Sequence, residues 1–127
     1  MENRDLLLTK LRPDIKIETE RSTVLEVFQS VTLRPILKIQ NHLLLALFSA
    51  HLNDNKINIG LLKDEKKKEL IHALLKKDMA IKNVLIGTIV GFFTEKESLF
   101  YFSDKRAINK RIVELLIKRI SDQKNVL

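Results

Sequence analysis

From Asp78 to Tyr101 the chain reads DMAIKNVLIGTIVGFFTEKESLFY, and beyond Asn83 it is apolar around nearly every side of a helix. Such a helix has to be buried, in a core or in a membrane. A membrane span needs about 20 mostly apolar residues. The run Val84–Phe93 has only 10, two of them glycines and one a threonine. This stretch therefore predicts the central helix of a core. Gly87 and Gly91 stand one helical turn apart on it, which flattens one side and admits a close neighbour, most simply another helix of the same chain. As a G-x-x-x-G motif the pair says little outside a long apolar span.

The rest of the chain has to supply the cover, and its patterning is helical throughout. Only three glycines and two prolines punctuate 127 residues, and no segment alternates strictly like a half-buried strand. Leu6, Leu7, Leu8 and Leu11 make a short first helix that Pro13 ends. Asp14–Glu18, with Ile15 and Ile17 alternating against charges, is the one place for an extended segment. With Thr19 or Ser22 as cap, Val24, Val27, Phe28 and Val31 fall at helical spacing. The long helix TLRPILKIQNHLLLALFSAHLND follows, with Thr32 as its cap, Pro35 in its first turn and Asn53–Asp54 at its end.

Asn53–Gly60 is a loop by composition. From Asp64 to Phe93 the stripe Leu70, Leu74, Ile81, Leu85 keeps helical phase, so one bent helix or two helices meeting near Asp78 both fit. Thr94-Glu95-Lys96-Glu97 has the form of a capping box and starts a short helix carrying Leu99 to Phe102. Ser103 or Asp104 then caps the last helix, whose apolar arc holds Ile108, Ile112, Val113, Leu115, Leu116 and Ile120. No internal repeat, linker or low-complexity tract appears. The expectation is one domain over residues 1–127: an all-α, compact helical bundle of about five or six helices around a buried central helix.

Chemistry is sparse in this pattern. There is no cysteine, and the three histidines, His42, His51 and His72, lack metal-ligand spacing, so no metal and no cofactor is expected. Phosphate-loop, dinucleotide, serine-hydrolase and calcium-loop signatures are missing from the chain. What stands out is a set of polar side chains on otherwise apolar helix faces: Gln40, His51, Asn83, Asn109 and Arg119. Buried groups of this kind need hydrogen-bond partners, and if the five converge they make the polar lining of a small-ligand pocket. The simpler alternative is a local bond for each.

The net charge of +7 favours acidic partners at long range. Basic residues gather in two groups, Lys63, Lys66, Lys67, Lys68, Lys76 and Lys77 on one helix, and Lys105, Arg106, Lys110, Arg111, Lys118 and Arg119 on another. Adjacent, they could follow a nucleic-acid backbone. Interleaved Asp64, Glu65, Glu69 and Glu114 favour a solvated face instead. The start of the chain has charges on both sides of a three-leucine run too short for a signal peptide, so the expected location is cytoplasmic, with no membrane partner. Two long helices have apolar arcs wider than a small monomer covers, and a homodimer follows as an expectation. The functional reading is a small binding or interaction module for a protein or small ligand.

The blocks TLRPILKIQN at Thr32–Asn41, KNVLIGTIVGFFTEKE at Lys82–Glu97 and INKRI at Ile108–Ile112 resemble a family of small helical bacterial proteins, some of whose members carry the name glyoxalase. The resemblance covers most of the chain from Thr32 onward and implies an enzyme of the lyase class. Metal-dependent glyoxalases are built from paired β-α-β-β-β units with histidine and glutamate ligands on strands. This chain departs from that pattern, and no catalytic residue is carried over to it.

Overall fold

A computed structural model describes residues 2–12 and 23–127. The extended segment expected at Asp14–Glu18 and the caps expected at Thr19 or Ser22 lie outside the described residues. The helices, in chain order, are α1 (Glu2–Leu11), α2 (Val24–Phe28), α3 (Arg34–Ile39), α4 (Asn41–Asp54), α5 (Asp64–Lys77), α6 (Met79–Val90), α7 (Glu95–Ser103) and α8 (Lys105–Asp122). No strand occurs among the described residues, and none of their helices is long and apolar enough to cross a membrane. The fold is an all-α bundle in which α6 packs against α4, α5 and α8.

There are more segments than the apolar pattern suggests, because two long helical stretches are interrupted. Pro35 has no N–H to give Val31, so the ladder cannot run regularly through that turn. The chain answers with a π-turn at Gln29–Leu33 between α2 and α3. Thr32 therefore does not cap a helix. It lies inside the π-turn, 3% exposed, and donates its hydroxyl to Glu97 Oε2 at 2.7 Å. The real cap upstream is Thr23, whose oxygen accepts from Glu26 N at 3.1 Å. A second break at Gln40 separates α3 from α4.

Asp78 settles the other ambiguity. Its extended backbone ends α5, and its carboxylate accepts from Ala80 N and Ile81 N to start α6, so there are two helices and not one bent one. The capping box at Thr94 forms with both of its bonds: Glu97 N donates to Thr94 Oγ1 at 3.2 Å and Thr94 N to Glu97 Oε1 at 2.8 Å. Asp104 occupies the cap position of α8, but its side chain makes no capping bond.

The core collects the expected stripes of α6 and α8, but from α5 it takes Ile71 and Leu75, while the expected Leu70 and Leu74 are half-buried at its edge. Leu44 and Phe48 of α4, Ile71 and Leu75 of α5, Leu85 and Ile89 of α6, and Ile108, Ile112 and Leu116 of α8 are all fully buried. Leu115, at the edge of the α8 arc, is half-buried. Phe93 closes one end, with its ring edge-on to Phe28 at 5.6 Å and to Tyr101 at 5.7 Å between centroids.

The glycine face of α6 differs from expectation. Its neighbours engage Ile81, Leu85, Ile86 and Ile89, which fall on one side of the helix. The other side is open: Met79 is 58% and Val84 49% exposed, and a Cβ built on Gly87 meets nothing within 4 Å. Three helices packed on one side do not close around a fourth, and among the described residues no helix fills the flat side.

Candidate functional site

The five polar residues singled out in the sequence take up four separate positions. Gln40, at the α3–α4 break, sends its amide to Thr88 O at 3.3 Å. That carbonyl belongs to the last turn of α6, whose acceptors have no partner further along the helix. His51 meets Asp78 through Nε2···Oδ2 at 2.9 Å. This bond is the first cause holding the Asp78 carboxyl below its ordinary range, against an opposing effect of burial.

Arg119 donates to Asn41 Oδ1 at 3.3 Å, beside an amide pair in which Asn41 and Gln123 exchange two bonds of 2.8 Å. Burial lowers the Arg119 guanidinium from its ordinary value. It lines a shallow groove of about 450 Å3 at the far end of α8, with Arg34, Leu37 and Lys118. Gln40, His51 and Arg119 are thus accounted for by local bonds.

Asn83 and Asn109 are brought together. Both line a groove of about 630 Å3 between α6 and the first half of α8. Asn109 accepts the Tyr101 hydroxyl on Oδ1 at 2.6 Å, which leaves its NH2 donors for another partner. Asn83 is exposed on the opposite wall. Cations surround the pair: Lys76 from the end of α5, Lys82 from α6, and Arg106 and Lys110 from α8. Asp104 is the one acid in the lining. Among the described residues, none of the four cations joins an ion pair. The floor is apolar, with Ile86 9% and Val113 4% exposed.

This assembly was only half legible beforehand. The two basic groups contribute Lys76, Arg106 and Lys110, while Lys82 belongs to neither group. Its position one helical turn from Ile86 is the signal that could have placed it on the same wall.

A second polar constellation escaped sequence reasoning. Arg12 reaches Glu97 with two bonds of 2.6 Å and Phe92 O with a third of 3.0 Å, and its side chain is only 9% exposed. Arg4 donates to Phe93 O at 2.8 Å and Gly91 O at 2.7 Å. Asp5 accepts from Glu95 N at 3.2 Å. Through these residues α1 closes the seam between α6 and α7 while Leu6, Leu7 and Leu11 face outward, more than half exposed. Burial pushes the Glu97 carboxyl up, but Arg12, Thr32 and the Thr94 N–H together hold it below its ordinary value. The terminal guanidinium nitrogens of Arg12 and Arg4 are all engaged, and Arg12 Nε, which has no hydrogen-bond partner among the described residues, is shut away from solvent, so the constellation reads as architecture.

The described residues contain no group of three or more histidine, aspartate or glutamate side chains placed to hold a metal ion. Comparison of the chain with protein-family models, with curated proteins and with solved structures finds no match.

Proposed function

We propose that this chain is a binding module that works by pairing helices, and that its first partner is a second copy of itself across the open face of α6. One observation carries the reading. The most apolar helix of the bundle leaves Met79, Val84 and the flat Gly87 side uncovered. An apolar helix face open to water is unfavourable in a lone molecule and is the usual mark of a contact surface. A glycine there lets a second backbone come close, and the same face on both partners makes a two-fold, self-complementary contact. The face between Ala80 and Gly91 carries no acidic side chain, and its one base, Lys82, turns toward α8, so like-charge repulsion between copies with net charge +7 is least there.

Gly87→Leu tests this directly. The site has room for the side chain in the isolated chain, and leucine is the better helix former, so the variant folds at least as well. Sedimentation at micromolar concentration is expected to find the parent at twice its 14.8 kDa mass and Gly87→Leu at 14.8 kDa. A parent that sediments only at 14.8 kDa, or a variant that stays dimeric, would remove the proposal.

A further inference from the structure

The groove between α6 and α8 adjoins the Gly87 face and shares Met79 with it, but its chemistry points to a different partner. We infer that it receives an acidic amphipathic helix from another protein. Three features support this. Lys76, Lys82, Arg106 and Lys110 come from three helices and stand around one concavity against a single acid, Asp104. A solvated basic face would carry interleaved carboxylates, as the outer side of α5 does with its Lys66–Glu69 pair. Below the cations the surface turns apolar, through Met79, Ile86, Ala107 and Val113. Between Arg106 and Val113 the groove follows α8 for about 10 Å, the rise of two helical turns.

Charge complementarity identifies the occupant. Carboxylates flanking a short apolar stripe would meet the cationic rim while leucine-like side chains at helical spacing reach the floor, the usual anatomy of a helix laid in a groove. The free NH2 of Asn109 and the amide of Asn83 add donors for those carboxylates. A second copy of this chain fits poorly, because its net charge of +7 opposes a basic groove. Nucleic acid fits less well than a peptide. No aromatic side chain lines the groove to stack a base, and a phosphate backbone has no use for a concave apolar floor.

The experiment uses the full chain and three fluorescein-labelled probes. One is a 16-residue helical peptide with leucines at i, i+4, i+7 and i+11 flanked by glutamates. The others are a scrambled peptide of the same composition and a 20-base-pair duplex DNA. Fluorescence anisotropy is expected to give binding of the amphipathic peptide at least about tenfold tighter than the scramble, weakening as salt rises. Lys82→Glu combined with Arg106→Glu should weaken it by a further tenfold or so, in keeping with two charge reversals at a solvated rim. Backbone amide shifts should move at residues 79–86 and 106–113. Gly87 does not line the groove, so Gly87→Leu should keep the preference for the amphipathic peptide over the scramble, which separates this inference from the dimer. Equal binding of the scramble, unaltered binding by the double variant, tighter binding of the duplex, or no peptide binding up to millimolar concentration would each overturn it.

Discussion

The two ends of α6 are held by the same device in different surroundings. At its start, Asp78 caps the helix and is itself held by His51, with side chains 30% and 16% exposed. Just past its end, Glu97 completes the capping box of α7 and is gripped by Arg12, with side chains 15% and 9% exposed. Glu97 also takes the Thr32 hydroxyl, so α1, the π-turn and α7 meet on one carboxylate. The contrast separates a closed end from an available one. Enclosure strengthens each bond and raises the cost of losing a partner, and at the enclosed end the one donor left without a partner, Arg12 Nε, is out of reach of solvent. The wetter end begins the wall of the α6–α8 groove, where Lys82 and Asn83 remain unengaged.

Substitutions at the two ends should sharpen this contrast. Arg12→Met leaves the Glu97 carboxylate enclosed without its cation, and a loss of about 3 kcal/mol is expected in urea denaturation, near the low end for a broken buried pair. A loss under half of that would mean α1 contributes little to the closed end.

Acid should act on the same carboxylate. Its folded value lies below the ordinary 4.5, so its stabilising contribution is full above pH 4.5 and fades as pH falls from there through the folded value. Glu97→Gln should flatten this part of the pH–stability curve, at a cost in stability at neutral pH. Asp78 follows the same sign from 3.8 downward.

Thr94→Ala removes one cap bond while Arg12 keeps its hold on Glu97. A drop of about 1 kcal/mol is expected by thermal or chemical unfolding. The smallest effect belongs to His51→Ala, because Asp78 keeps its two backbone donors, Ala80 N and Ile81 N. Its stability should change less than that of Thr94→Ala, and the acid limb assigned to Asp78 should move toward higher pH. An effect as large as that of Arg12→Met would show that the two ends are equally enclosed.

What could be read from the residues follows the range of the interaction. The α8 arc Ile108, Ile112, Val113, Leu116 and Ile120 is buried as its spacing implies, and Thr94 with Glu97 forms its box because both partners lie within one turn. Asp78 was visible as a junction, though its role as a cap needed the backbone. Thr32 was misplaced because a threonine three residues before a proline looks like a cap with that proline in the first turn. In the fold, Pro35 turns the helix into a π-turn and sends that hydroxyl inward. The partnership of Arg12 with Glu97 spans 85 positions, and no local pattern encodes it.

The candidate groove follows the same rule. Asn83 and Asn109 were each conspicuous on an apolar helix, but nothing in their spacing says they face one another, and Gln40, His51 and Arg119 were equally conspicuous.

By itself the sequence determined that this protein is helical, which face of α8 turns inward, and where α7 starts, because those depend on periodicity and on bonds within a turn. Only the tertiary structure decided that one side of α6 stays open, that Arg12 and Thr32 converge on Glu97, and that cations from three helices stand around one groove. Those features depend on how rigid helices are placed against each other. That placement is set by the sum of many apolar contacts, and no single residue along the chain announces it.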